Sequence, residues 1–428
     1  MDINTLLEPY KTAGVNLGLE RIHGLLAKLG NPQAKVPYVH VGGTNGKGSV
    51  CAYLSSVLAE AGYKVGRYTS PHLIDWRERV WLNGSFIDDA SLIGALQQVT
   101  AIASADSLDR PTLFEVFTAA VWLYFAQAEV DIAVMEVGLG GRLDATNVPE
   151  PCLLSIITSL SREHWQVLGP TVAHIAREKA GILKAQRPVF LGNIPPEAQE
   201  VFQERIAELH CPDYWIAPAI ATEKNGQPWA SWQGFEYPLV LLGDFQLQNS
   251  ALAIAALQEL KQQGWDKLTL EMIQRGMAKA VWPGRLQWVD YNGQKILLDG
   301  AHNPAAAKAL ANYTHGLVDR SDNYPPTITW VMGMLSTKEH DQIFQHLLRP
   351  GDRLLLVPVP DHDSGDLPTL EQLAWQIMPE LKEVTLFNDC FTALESLEKT
   401  NENSKQLTVL CGSLYLVGYF LKKLQSSH

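Results

Sequence analysis

The chain has 428 residues, 46% apolar and 19% charged, with 32 Gly and 24 Pro, proportions that suit a folded soluble protein and exclude a disordered, collagen-like or coiled-coil chain. Its 34 Lys and Arg against 46 Asp and Glu leave a formal charge of −12, which argues against a general nucleic-acid binder with a basic face. The five Cys (Cys51, Cys152, Cys211, Cys390 and Cys411) are odd in number and far apart, as expected in a reducing compartment and not at a metal site. No export pattern opens the chain and no apolar run reaches about 18 residues, so a cytoplasmic enzyme with no membrane partner is expected, built from about two or three domains.

In chain order, Leu19, Ile22, Leu25, Leu26 and Leu29 recur near a helical period, and Gly30 and Pro32 end that helix. Tyr38 to Val41 predicts a strand, Gly42 to Gly48 a tight loop, Ser49 to Ala61 a helix closed by Gly62, and Lys64 to Tyr68 the next strand. Residues 112–129 predict an aromatic-rich helix, Asp131 to Val137 an apolar strand, 153–158 a strand, 171–180 a helix and Val189 to Leu191 a further strand. The Trp-, Gly- and Pro-containing stretch 211–240 reads as short strands and loops, followed by helices at Asn249 to Gln263 and Leu268 to Ala278. A boundary falls at Val281-Trp282-Pro283-Gly284, where Pro breaks the pattern. Beyond it, strands at 286–291, 295–299, 327–331, 353–358, 384–387 and 407–411, with a helix from Pro304, predict a smaller α/β domain. The domains are therefore expected at 1–280 and 286–428, with 281–285 as hinge; the Glu/Lys-rich tract from Glu395 to Lys405 reads as solvated surface.

The sharpest local signal is Gly42-Gly43-Thr44-Asn45-Gly46-Lys47-Gly48-Ser49. Small residues let consecutive backbone amides converge on phosphate oxygens, and the following helix points its positive end at the same place. Lys47 is suited to the outer phosphates, although Gly48 separates it from Ser49 and so departs from the strict Walker spacing. Glu136 closes the apolar strand Asp131-Ile132-Ala133-Val134-Met135, where a hard carboxylate oxygen suits Mg2+, or else simply faces solvent. His164, in the loop after the 153–158 strand, is either a site residue or surface. Residue logic alone makes Lys179, in Arg177-Glu178-Lys179-Ala180-Gly181, an ordinary surface lysine.

In the second region, Leu298-Asp299-Gly300-Ala301-His302-Asn303-Pro304 sets a strand-end Asp beside a loop His, a pattern that serves either a reactive site or helix capping. Arg285 at the hinge reads either as a phosphate contact or as surface. No nucleophile elbow supports a serine hydrolase, and a kinase, an NTPase and an ATP-driven ligase all remain open.

On these residues the chain resembles the folylpolyglutamate synthase and dihydrofolate synthase family of the Mur ligase superfamily. The resemblance is carried by Leu17-Gly18-Leu19-Glu20-Arg21-Ile22, the loop Gly43 to Ser49, Thr69-Ser70-Pro71-His72-Leu73 and Glu78-Arg79-Val80. It continues through Glu136 to Asn147, Glu178-Lys179-Ala180-Gly181-Ile182 and Leu298 to Pro304, in that order. It implies a larger P-loop ATPase domain with a parallel sheet and a smaller Rossmann-like C-terminal domain. It implies Mg2+ ligation by Ser70, Glu136, His164 and Lys179, the lysine being carbamylated. Nucleotide contacts are implied at Thr44, Asn45, Gly46, Lys47, Gly48, Ser49, Asn249, Arg285 and Asp299, and folate contacts at Thr112, Phe114, Glu115 and His72. The implied reaction is ATP-dependent addition of L-glutamate to folate, and to dihydropteroate, through an acyl phosphate, with His302 and Asp299 on the second-domain side and Lys47, His164 and Lys179 on the first.

ATP and Mg2+ are the expected cofactors, with a K+ requirement left open, and a monomer is the expected state. Two departures stand out: Arg162-Glu163-His164 replaces the usual Asp-His, and Met334 to His340 lacks the usual Asp-Lys-Asp around Lys338. Two competing readings are a Mur-type ligase acting on a cell-wall precursor and a nucleotide-binding regulator without catalysis.

Overall fold

The computed structural model describes residues 2–103, 110–148, 152–319, 327–397 and 407–426. The tract from Glu395 to Lys405 lies largely outside them. The chain divides into two compact units, Met1–Val240 with Gln246–Val281, and Leu241–Phe245 with Trp282–His428.

In the first unit, β1 (Tyr38–Gly42), β2 (Val65–Tyr68), β3 (Val80–Leu82), β4 (Ser85–Phe86), β5 (Ile132–Glu136), β6 (Cys152–Ser159), β7 (Val189–Asn193) and β8 (Asp213–Trp215) form one sheet in the order β4-β3-β2-β5-β1-β6-β7-β8. The strands from β2 across to β8 pair in parallel, and β3 and β4 form an antiparallel edge. β1 and β5 are buried at every position, which is why both read as unbroken apolar runs and not as alternating ones. The chain leaves β1 for β2 on one side and reaches β6 on the other. The carboxyl ends of β1, β5 and β6 therefore meet at a topological switch point, where open α/β sheets place their ligands. Val41 stands opposite Glu136 and Gly42 opposite Ile157.

The helix Leu113–Gln127 lies in the core with Val116, Phe117, Val121, Trp122 and Phe125 buried. Its start is fixed by a capping box in which Thr112 and Glu115 satisfy each other's backbone amides. A small antiparallel sheet of β9 (Ile220–Lys224), β10 (Gln227–Trp232) and β11 (Phe235–Pro238) forms in the region expected to hold short strands.

The second unit is a six-stranded sheet of β12 (Gln287–Tyr291), β13 (Gln294–Leu298), β14 (Ile328–Met332), β15 (Arg353–Leu356), β16 (Glu383–Leu386) and β17 (Leu407–Cys411), in the order β12-β13-β17-β14-β15-β16. Only β12 runs antiparallel to its neighbour. Its core gathers Leu297, Trp330, Met332, Phe344, Leu354 and Val409. The expected α/β class, a larger parallel-sheet domain and a smaller Rossmann-like one, is what the chain adopts. Several helices lie outside the expected elements, among them Asp89–Thr100, Pro196–Leu209, Leu367–Ile377 and Leu414–Ser426. Among the described residues no helix is long and apolar enough to cross a membrane.

Candidate active site

The helix after the glycine loop begins at Lys47, two residues before Ser49. Gly43 sits at φ +139°, where a Cβ would strike the Thr158 hydroxyl, and Gly46 sits at φ +89°, where a Cβ would strike the Asn249 amide oxygen. Glycine is required at both. The end of β6 pins the loop. The Ser159 carbonyl accepts from Thr44 N at 2.8 Å, the Ser159 hydroxyl accepts from Asn45 N at 3.1 Å, and the Thr158 hydroxyl donates to Asn45 O at 2.7 Å. The amides of Thr44 and Asn45, expected at the nucleotide, thus hold the loop's shape. Those of Lys47, Gly48 and Ser49, in the first helical turn, have no acceptor within the helix and suit an anion. On the far side, Gln246 Nε2 donates to Ser49 Oγ at 3.1 Å and Asn249 Nδ2 donates to Gln246 Oε1 at 3.1 Å. Asn249 therefore stands against Gly46 as part of the wall, and Gln246, which sequence reasoning missed, links it to the loop.

Lys47 Nζ donates to Thr44 O at 3.0 Å and stands 3.9 Å from Glu136 Oε1. Glu136 is buried at the end of β5, and its Oε2 accepts from the backbone N–H of Ser70 at 3.1 Å. Lys179 is buried as well, 6% exposed, and donates from Nζ to Gly43 O at 2.8 Å. The residue-only expectation of a surface lysine is thereby corrected. The nine-residue helix Val172–Ala180 turns Ile175, Ala176, Lys179 and Ala180 inward; the helical spacing of Val172, Ile175, Ala176 and Ala180 was the available signal, and Lys179 lies in that stripe. Burial, and next the charge of Lys47, bring the Lys179 amine down to about 7. Gly43, Thr44, Lys47, Gly138, Leu139, Gly140, Glu163, His164 and Lys179 line one pocket. His164 takes a left-handed backbone, φ +51°, just before the short helix Trp165–Leu168.

The loop behind β5 is shaped by Asp144, which lies within the Glu136 to Asn147 run. Its Oδ2 accepts from Leu139 N at 2.7 Å and its Oδ1 from Thr146 N at 3.0 Å. The Thr146 hydroxyl also meets His40 Nε2 at 2.9 Å. Asn147 Nδ2 reaches Arg142 O at 3.0 Å and Gly181 O at 3.1 Å, tying this loop to the end of the Lys179 helix. An acid closely following a run of glycines was the available signal.

Of the residues expected to meet folate, Thr112 and Glu115 are engaged in the capping box. Glu115 also pairs with Arg21 at 3.1 Å. The Phe114 ring packs where a Cβ on Gly138 would stand and lies 6.1 Å from the Tyr68 ring. His72 accepts at Nδ1 from Arg79 Nε at 2.9 Å, and its ring lies 4.6 Å from Trp76. Burial and Arg79 push its pKa to about 3.

In the second unit, Asp299 follows β13 and is buried. Its two oxygens accept from Leu286 N at 2.9 Å and Ala301 N at 2.8 Å. Burial raises its pKa and the Arg285 charge opposes the rise. Arg285 Nη1 donates to Gly284 O at 3.1 Å, and His302 Nδ1 lies 2.7 Å from Gly300 O. Asn303 caps the helix Pro304–Asp319 through Ala306 N at 2.8 Å.

Residues 41–257 match the Mur ligase middle domain and residues 285–423 the dihydrofolate synthetase C-terminal domain. The chain is 32% identical to the dihydrofolate synthase/folylpolyglutamate synthase of Bacillus subtilis, covering 96% of each. It is 35% identical to the dihydrofolate synthetase of Saccharomyces cerevisiae, covering 97% of this chain and 99% of that one. Among solved structures, the folylpolyglutamate synthase of Thermotoga maritima superposes with a TM-score of 0.81 at 34% identity, covering 99% of this chain and 97% of that one. The Escherichia coli FolC complex with DHPP and ADP superposes with a TM-score of 0.83 at 27% identity and the same coverage. With both units matched and the likeness running from end to end, the chain belongs to the dihydrofolate synthase/folylpolyglutamate synthase family of Mur-type ligases.

Proposed function

We propose that this ligase joins L-glutamate to folates, and to dihydropteroate, in an ATP-driven reaction at the crest of β1, β5 and β6. The observation that carries the reading is the convergence of Lys47, Glu136 and Lys179 on one glycine loop. A substrate carboxylate oxygen attacks the γ-phosphorus of ATP, the bond to the β-phosphate oxygen breaks, and ADP leaves an acyl phosphate. The glutamate nitrogen then attacks the acyl carbon, loses a proton, and phosphate departs with the other bonding pair. Lys47 and the first-turn amides face the phosphoryl oxygens on which charge builds.

The donor set fits Mg2+. Among the described residues no three His, Cys, Asp or Glu form a metal cage. One buried carboxylate with a hydroxyl and an imidazole suits an ion that also takes phosphate oxygens. Glu136, Ser70 and His164 would hold it, and when bound it neutralises phosphate charge. Lys179 joins them by adding its neutral amine to CO2 with loss of a proton, which gives an anionic oxygen ligand. The lowered pKa supports this chemistry, because the amine must be neutral to react.

The first unit takes ATP and the folate, with Phe114 and His72 against the pterin end; Arg285, Asp299 and His302 of the second serve the nucleotide and the glutamate. The acidic balance of −12 speaks against a nucleic-acid partner, and the reading includes action in the cytoplasm, to which five scattered cysteines are suited, and a monomer.

The test offers purified protein ATP, Mg2+ and L-glutamate with dihydropteroate, dihydrofolate, tetrahydrofolate or a cell-wall precursor, and measures amide product and ADP. Product from the folates and dihydropteroate is expected. Product from the wall precursor alone, or from none of them, would overturn the proposal.

A further inference from the structure

Arg67 takes no part in the site described above, and nothing in its sequence neighbourhood singles it out. It lies on β2, in register with Val134 of β5 on one side and with Trp81 of β3 on the other. Side chains alternate along a strand, so Val134 and Glu136 share a face and Arg67 shares it with them. The helix Lys47–Glu60 presents Lys47, Cys51 and Ser55 to that face, spaced four residues apart and so aligned in one stripe. At one end of the stripe Lys47 meets Glu136 at 3.9 Å, and at the other Arg67 Nη1 donates to Ser55 Oγ at 3.2 Å. The guanidinium also stands 5.0 Å from the Trp81 ring centre.

Arg67 and Glu136 are both nearly sealed from water, at 6% and 5% exposure. Burial brings Arg67 down to about 10, so it keeps its charge at neutral pH. The Cys51 thiol between them is pushed up by burial first and by Glu136 second, with Arg67 and Lys47 pulling the other way, so both ends of the stripe reach it. Charges in such an interior act over longer distances than they do in water.

We propose that Arg67 is a positioning residue whose buried positive charge, set behind Glu136, strengthens binding of the anionic nucleotide and weakens the hold of Glu136 on a divalent cation. The proposal deepens the reading of this crest as an ATP and Mg2+ site and rests on it. The second cation lets the site accept and release the metal with its nucleotide instead of trapping the ion.

Charge and packing predict different outcomes. Arg67→Met removes the charge and keeps most of the volume, Arg67→Gln is a second neutral variant should the first fail to fold, and Arg67→Lys keeps the charge. ADP binding is measured by calorimetry in EDTA, and Mn2+ binding to the ADP-bound protein by electron paramagnetic resonance. In the neutral variants ADP is expected to bind about threefold or more weakly and Mn2+ about threefold or more tightly, while Arg67→Lys restores both. A structural loosening would weaken both ligands together, and that result, or no change in either, would overturn the inference. Failure of the unaltered protein to bind ADP both in EDTA and with Mg2+ would instead overturn the site reading and the inference with it.

Discussion

Lys179 Nζ donates to the carbonyl oxygen of Gly43 at 2.8 Å, although 136 residues separate them in the chain. A buried lysine whose amine is brought down to about 7 costs stability wherever the unfolded chain would hold that proton. The cost is fully present below about 7 and is lost as the pH rises toward the ordinary lysine value of 10.5. Lys179→Met, which also removes the proposed anionic ligand to Mg2+, is expected to lose at least about 100-fold in turnover. Its stability relative to the parent should be most favourable near neutral pH and decline as the pH is raised through that window. Urea unfolding across the pH series, with ADP release as the activity readout, measures both; a flat stability difference would contradict the assigned burial cost.

Gly46 faces Asn249 from a left-handed backbone, φ +89°. Gly46→Ala adds a Cβ onto that amide and forces a side chain into a conformation that costs about 1–2 kcal/mol. The displaced Asn249 pulls on Gln246 and through it on Ser49. ADP affinity is expected to fall about tenfold or more in a calorimetric titration, and the same strain should lower Tm by a few degrees in thermal unfolding. Unchanged affinity would mean that the loop does not set the nucleotide's position.

The parts of this site legible in the sequence are those written locally. Gly43 to Ser49 announces itself because a tight phosphate turn needs consecutive small residues, and Thr112 with Glu115 can mark a helix start because a capping box spans four residues. Glu136 was readable because a carboxylate at the end of an apolar strand is chemically out of place. Lys179 was not read from the residues alone, because a lysine in a charged run is ordinarily exposed and its burial comes from β1, the Gly138–Gly140 turn and its own helix meeting in space. Gln246 and Arg67 escaped for the same reason. Gln246 is one amide in an alanine-rich helix, and the place of Arg67 behind Glu136 follows from β2 pairing with β5, which no local spacing reveals.

Glu115 tests whether a residue assigned to folate acts first on the fold. Its carboxylate accepts from Thr112 N at 2.6 Å and pairs with Arg21, itself only 11% exposed at the side chain. Glu115→Ala removes the cap and leaves the Arg21 charge buried, so a loss of about 3 kcal/mol is expected in urea unfolding. Glu115→Gln keeps an acceptor for the cap and should fall between the two. Full stability in the alanine variant, accompanied by a raised KM for the folate, would return Glu115 to a direct substrate role.

Asp299 offers the corresponding test in the second unit. Each of its oxygens accepts a backbone N–H, from Leu286 and from Ala301. An asparagine offers only one carbonyl oxygen, and its amide group would face a second donor. Asp299→Asn should therefore destabilise by about 1–3 kcal/mol and, by loosening the turn that carries Arg285 and His302, raise the KM for ATP. The pH dependence has a definite sign. Burial raises the folded pKa of Asp299 above its ordinary value, so the native carboxylate costs nothing when protonated in both states and costs most above its folded pKa. The deficit of the asparagine variant relative to the parent should be widest in acid and narrow as the pH rises to neutrality. A deficit that widens instead would show that the carboxylate is stabilised by its surroundings, with Arg285 outweighing the burial.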